Sequence, residues 1–359
     1  NAFRVQTPLA VAASTIAGCG LIWAVMMVSQ DRLTIGDLSV FVASISGLQS
    51  AVGTLVGGIS DIVQSSLSFR YYLAVVGAPA DLPRAAHPED VGPLRHHIKF
   101  HDVWFRYHEN TPWVLQGVNL TVEVGKTLAL VGLNGSGKST LVKLLCRLYD
   151  PTKGSITWDG RDLRDFDPDE LRSQLGAVFQ DYMAYDLTAA ENIGIGAVGD
   201  IQDQSAVTRA ADAAGVHEAV SELPHGYDTL LSRIFFAGDG DNPELGVHLS
   251  GGQWQRLAFA RGLMRARADL MILDEPNAGL DAEAEADVHA RLHAHRQGRT
   301  SLLISHRMSA IRSADSIAVL RNGIISELGT HDQLIEQRGE YARLFELQAA
   351  GYQEMVEPA

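Results

Sequence analysis

The pattern of apolar and polar positions changes once along this chain, near residue 77. Before that point apolar and small residues run on with little interruption, and no charge occurs from Val5 to Gln30 or from Leu38 to Ser60. A helix needs roughly 20 residues to cross the hydrocarbon core of a bilayer, so each run is long enough to be a span. Their glycine and serine content also describes a pair of buried core helices in a soluble domain, although uncharged runs of this length are uncommon there. The short polar stretch "SQDRLTIGD" predicts a hairpin, with spans at about 6–30 and 38–62 inside a membrane segment 1–76. Arg4 and Arg70 flank that hairpin and point to the cytoplasm as the side on which both its ends lie. "GAPADLPRAAHPEDVGPLR" (77–95) then mixes proline, glycine and charge without period, the composition of a linker.

After residue 96 the runs become short. "KFHDVWFRY" alternates like a strand and ends at Tyr107, and "LALVG" reads as a buried strand followed by the helical spacing of "TLVKLLCRL". "AVFQD" is strand-like and leads to Gln180, "DLMILDEP" to Asp274 and Glu275, and "TSLLISH" to His306.

Composition narrows the function. The net charge is −14, and the charges up to Ala80 cancel, so the acidic excess lies in the second part of the chain. Phosphate-backbone binding needs a basic surface, which argues against a nucleic-acid ligand. The two cysteines, Cys19 and Cys146, fall in segments of different character and form neither a disulfide framework nor a metal motif. No repeat or low-complexity tract is visible. The chain opens "NAFRVQ" without methionine or signal-peptide features, so it reads as a fragment of a longer protein, and two spans alone make a poor transport path.

The strongest chemical signal is Gly132-Leu133-Asn134-Gly135-Ser136-Gly137-Lys138-Ser139, which matches the phosphate-loop pattern with a strand before it and a helix, beginning at Thr140, after it. Glycines let backbone N–H groups curl around phosphates, Lys138 reaches the outer ones, and the Ser139 hydroxyl suits Mg²⁺. A nucleoside triphosphate is therefore expected. Asp274, ending an apolar strand, sits where such proteins hold Mg²⁺, and Glu275 is suited to polarising an attacking water. His306, at the end of another core strand, is placed to hydrogen-bond the γ-phosphate. On spacing alone, Gln180 and Tyr107 read equally as core or surface residues; the one could ligate Mg²⁺ or orient water, the other stack on adenine.

In the order Tyr107, "GLNGSGKST", Gln180, "LSGGQWQR", "LMILDEP", "AGLD", "LLISH", the chain resembles the nucleotide-binding domain of ATP-binding cassette (ABC) transporters, from about Ile98 to about Gln348. "LSGGQ" is the most specific element. "LTIGDL", "YYLAV", "LTAAENIGIG" and the C-terminal stretch from Asn322 are similar to the exporter subclass, in which spans and cassette are fused. The resemblance implies an α/β P-loop NTPase, an ABC cassette over 96–350 with an antiparallel β subdomain and a helical signature subdomain, preceded by an all-α hairpin and followed by a tail, 351–359.

It further implies ATP and Mg²⁺ as cofactors and a head-to-tail pair of cassettes in which each ATP lies between subunits. Ser250, Gly251, Gly252 and Gln253 of one subunit would close over the γ-phosphate held by the other. Physically, a serine hydroxyl and amides at a helix N-terminus make an anion site. Mg²⁺ would be held by Ser139, Gln180 and Asp274, and hydrolysis would use Glu275 and His306. Asp281 would communicate across the interface, while Gln180 would couple the site to the membrane domain.

The sequence departs from the pattern at Asn277, where a small hydroxyl residue is common, and at Pro243-Glu244-Leu245-Gly246, which replaces a Glu-Arg-Gly element after a Gly/Asp-rich insertion. The expected function is the ATP-hydrolysing subunit of an exporter in the inner or plasma membrane, cassette in the cytoplasm. The alternative is a regulatory or channel-type ABC protein that binds ATP without productive transport; a soluble ABC protein of repair or translation, or an importer, fits the fused hairpin less well. The partners expected are the lipid bilayer and a second half-transporter, a homodimer being sufficient and a heterodimer compatible. The transported substrate is not legible.

Overall fold

The computed structural model of the chain describes residues 2–30, 32–78, 82–179, 182–232, 246–265, 268–274, 290–291, 298–305 and 308–347. It divides into two compact units, Asn1–Asp81 and Leu82–Ala359.

The first unit holds two helices, α1 (Ala2–Ser29) and α2 (Ile35–Val76). Thr34 starts α2 with a reciprocal cap: its hydroxyl accepts the Asp37 N–H, and the Asp37 carboxylate accepts the Thr34 N–H. The helix continues through Val76, beyond the span end expected near 62. Ser65, Ser66, Ser68 and Arg70 change the hydropathy there, but they leave the i→i−4 backbone ladder intact. The two helices meet where the Trp23 and Phe41 rings lie 6.5 Å apart, and Gly20 permits that approach, since a Cβ there would stand 3.3 Å from the Phe41 ring. No residue of α2 is buried, and Ile35, Leu48, Leu55, Ile62 and Val75 are all exposed. The helix is long and apolar enough to cross a membrane. A continuous apolar surface of this kind is normally covered by another body.

The second unit carries two sheets. The smaller is antiparallel, in the order β2-β1-β4-β5, built from β1 (His97–Phe105), β2 (Leu115–Glu123), β4 (Lys153–Trp158) and β5 (Arg161–Asp162). The larger has the order β10-β9-β3-β8-β7-β6, from β3 (Thr127–Val131), β6 (Leu175–Val178), β7 (Leu270–Asp274), β8 (Ser301–Ile304), β9 (Ser316–Arg321) and β10 (Ile324–Gly329). Its pairings are parallel except β9 with β10. Strands β3, β7 and β8 are buried along their whole length, as both faces of a parallel sheet are covered.

Side-chain alternation divides that burial between two cores. Ile272, Leu302 and Ile304 join a cluster with Leu141 and Leu144 of α3 (Lys138–Leu145) and with Phe100 and Trp158 of the antiparallel sheet. Met271, Leu273 and Leu303 face a helical layer, packing with Ile193 of α4 (Ala189–Gly194), Val207 of α5 (Gln204–Ala213) and Leu257, Phe259 and Leu263 of the helix Gly251–Leu263.

The aperiodic segment before β1 is strapped to this unit by polar side chains. Arg147, only 1% exposed, donates from one Nη to the Pro83 carbonyl at 2.8 Å and from the other to the Phe166 carbonyl. Arg161 donates to the carbonyls of Asp90 and Val91, both at 2.7 Å. Asp159 accepts the N–H groups of Arg95, His96 and His97. Val91 and Leu94 are buried against the core.

Candidate phosphate-binding site and signature helix

The register of the large sheet sets Leu130 beside Ile304, Ile304 beside Asp274 and Leu273 beside Val178, so β3, β8, β7 and β6 end along one edge. In a parallel sheet this C-terminal edge is where ligand-binding groups gather. From it the chain enters Gly132 after β3, Ser305 after β8 and Phe179 after β6. Gln180, Glu275, Asp281 and His306 lie outside the described residues, as do Asn277 and Pro243, Glu244 and Leu245. Asp274 is described: it closes β7 and is 5% exposed.

The loop between β3 and α3 owes its shape to glycine. Gly135 and Gly137 have φ of 78° and 110°, a region that side chains rarely occupy. A Cβ at Gly137 would stand 2.8 Å from Leu115 Cδ2, and one at Gly132 would collide with the Leu320 carbonyl oxygen. α3 starts from Gly137 without a side-chain cap. Lys138 is buried, and its Nζ donates to the carbonyls of Gly132 at 2.8 Å and Leu133 at 3.2 Å. Ser136 Oγ is buried without a hydrogen-bond partner. An anion with several acceptor oxygens fits this set: uncapped amides, an ammonium curled over the loop and an orphaned hydroxyl. Ser139 and Asn134 are exposed at the same turn.

Tyr107, which spacing alone left ambiguous, is brought to this loop. Its hydroxyl lies 3.1 Å from Thr140 Oγ1 on the first turn of α3, and its ring remains 38% exposed. Phe105 and Tyr149 meet that ring edge to face at 5.0 and 5.3 Å, and Lys143 Nζ lies over it at 5.7 Å. Sequence reasoning passed over Lys143 and Tyr149. The signal for Lys143 was its i,i+3 spacing from Thr140, which puts both on one helix face.

Ser250–Gln253 occupy a different setting, in the helical layer rather than on the sheet edge. Ser250 caps the helix Gly251–Leu263, its hydroxyl accepting the Gln253 N–H while Gln253 Oε1 accepts the Ser250 N–H at 2.9 Å. The cap is therefore engaged rather than bare, yet Ser250 and Gly251 are exposed. Tyr182 donates its hydroxyl to the Gly251 carbonyl at 3.2 Å, linking this helix start to the segment that follows β6. Farther along the same helix, Arg261 donates to the Met183 carbonyl at 3.0 Å and to the carbonyl and side chain of Asn192, and burial pulls its pKa down. Beside Arg261 lies a cavity of about 390 Å³, lined by Cys146, Phe179, Tyr182, Met183 and Tyr185 among others. Burial pushes the Cys146 thiol up to about 12, so it is a packing group there rather than a nucleophile.

Comparison with known proteins finds relatives along most of the chain. The family described as "ABC transporter" matches residues 115–278. An ATP-dependent lipid A-core flippase of Alkalilimnicola ehrlichii is 36% identical over 345 residues, covering 96% of this chain and 56% of its own length. The protein of the same name from Cupriavidus pinatubonensis is 37% identical over 332 residues, covering 91% of this chain and 53% of its own. A solved bacterial Atm1-family ABC exporter with ATP bound superposes with a TM-score of 0.71 at 30% identity, covering 98% of this chain and 57% of the other. The chain thus spans little more than half the length of the relatives it matches.

Proposed function

We propose, from the premise that this chain is an ABC-type ATPase belonging to the ABC transporter family, that it powers an exporter and enters the membrane through α1 and α2. One observation carries the reading: an uncovered apolar helix of 42 residues and a glycine-shaped phosphate cradle stand on the same polypeptide. Lipid would cover α2, in the inner or plasma membrane, with the second unit on the cytoplasmic side.

ATP would seat its phosphates on the amides from Asn134 to Thr140 and on Lys138, with the adenine against Tyr107. Ser139, Gln180 and Asp274 are the groups that would hold Mg²⁺, which when bound neutralises charge on the phosphates. Glu275 would orient the attacking water and accept its proton, and His306 would hydrogen-bond the γ-phosphate. Ser250, Gly251, Gly252 and Gln253 of a second subunit would close over that phosphate, and Asp281 would touch across the interface. Those contacts exist only when two subunits close, so ATP shifts the pairing equilibrium and loss of the γ-phosphate releases it. A second copy of this chain suffices as that subunit. The named flippases move a lipid, which makes an amphipathic lipid the first cargo to try.

The test uses the chain in detergent micelles, carrying Glu275→Gln. Removing a positioned general base lowers turnover by about 10²–10⁴-fold. Hydrolysis should fall by that order, and light scattering should show a dimer that forms with Mg-ATP and not without it. ATP binding with neither pairing nor turnover in the unaltered chain would favour the regulatory or channel-type alternative.

A further inference from the structure

We propose that Lys143 and Thr140 are positioning residues for the nucleotide base, holding the Tyr107 ring as a preset stacking surface. This rests on the reading above, in which Tyr107 meets the base. Tyr107 follows β1 of the antiparallel sheet, whereas Thr140 and Lys143 stand three residues apart on α3, the helix whose start forms the phosphate cradle. Four contacts of three kinds converge on the ring. The Thr140 hydroxyl meets the phenol oxygen at 3.1 Å, Lys143 Nζ lies over the ring at 5.7 Å, and Phe105 and Tyr149 meet it edge to face.

A phenol on an open turn samples several rotamers, and a base that stacks on it must first order it. Here the hydroxyl pair and the aromatic edges have already fixed the ring, so stacking carries less ordering penalty. A cation within about 6 Å of a ring centroid is attracted by the ring's quadrupole. Both positioning residues ride on α3, so the base platform is fastened to the helix whose start forms the phosphate cradle. The result is a nucleotide site whose base-dependent affinity runs through a lysine that touches neither base nor phosphate.

The experiment compares two ligands on the full chain in detergent, Mg-ATP and Mg-tripolyphosphate, by calorimetry. Only ATP can use the platform. Tripolyphosphate reports on the cradle and on folding, so the ratio of the two affinities isolates the base. Lys143→Met should reduce that ratio by about 2- to 5-fold, the size of an exposed cation–π contact, with Lys143→Arg restoring it. Tyr107→Phe, which keeps the ring and loses the Thr140 pair, should reduce the ratio by about 5-fold, as for one neutral hydrogen bond. An unchanged ratio in Lys143→Met, or equal weakening of both ligands, would overturn the proposal. Equal affinity for both ligands in the unaltered chain would instead overturn the base-platform reading on which it stands.

Discussion

Two helices of the second unit begin at points suited to phosphate, and they begin in opposite ways. α3 starts from Gly137 at φ 110°, uncapped, with Lys138 buried and folded over the loop. The helix Gly251–Leu263 starts from Ser250 in ordinary extended backbone, capped by its own residues, at an exposed surface. The first has no side-chain cap and leaves Ser136 Oγ buried without a hydrogen-bond partner. The second satisfies part of its first turn itself and keeps its shape unaided. One start is shaped by glycine and a folded-over ammonium, the other by a reciprocal side-chain cap.

The largest effect should come from breaking the cradle. Lys138→Ala removes charge-assisted hydrogen bonds worth about 1.5–3 kcal/mol, so Mg-ATP should bind roughly 10- to 150-fold more weakly, measured by calorimetry, while tripolyphosphate weakens in step. The capped helix should answer differently. Ser250→Asp keeps a good N-cap and sets a negative charge where a γ-phosphate would come, so ATP-dependent pairing should fall by at least about tenfold with the melting temperature unchanged. Ser250→Ala is the complement: the lost cap should lower stability by about 1 kcal/mol, seen as a drop of roughly 2–4 °C in thermal melting. If Ser250→Asp instead destroyed ATP binding by the unpaired chain, the contrast between the two helix starts would collapse.

The sequence made one of these starts plain and left the other half-read. Gly135, Gly137 and Lys138 announce themselves because a positive φ and a reaching ammonium demand particular residue types at fixed spacing. "LSGGQ" also stands out, but whether Ser250 is free or engaged depends on Gln253 turning back, a side-chain choice that pattern cannot report. Strands β2, β4, β5, β9 and β10 were not read, whereas β3, β6, β7 and β8 were legible as short apolar runs that end at a polar or glycine position, and β1 by its alternation. Tyr107 was not, because its meaning comes from Thr140, thirty-three residues away on another element. Nor was the length of α2, since hydropathy falters at Ser65–Arg70 where backbone hydrogen bonding does not.

Smaller perturbations refine the contrast. Tyr182→Phe loses the hydroxyl held on the Gly251 carbonyl and should weaken ATP-dependent pairing by about fivefold, one hydrogen bond's worth, while ATP affinity of the unpaired chain stays put. The smallest effect is a control with an ionisable cap. Asp167 caps the helix Pro168–Ser173, and the Asp169 N–H, with further help from that of Glu170, holds its carboxyl below the ordinary 3.8. A depressed carboxyl stabilises fully above the unfolded value and loses that contribution as pH falls through the folded one. The amide resonances of Asp169 and Glu170 should therefore move as pH drops below 3.8, while that of Gln253, capped by a hydroxyl, should not.

The strap ahead of β1 fastens that segment to the phosphate-loop side of the second unit. Because Arg147 grips the Pro83 carbonyl, the chain is anchored seven residues after Val76, the last residue of α2. The strap is thereby tied to a buried arginine two residues beyond α3, so the segment that leads into β1 and the helix of the phosphate loop share one fastening.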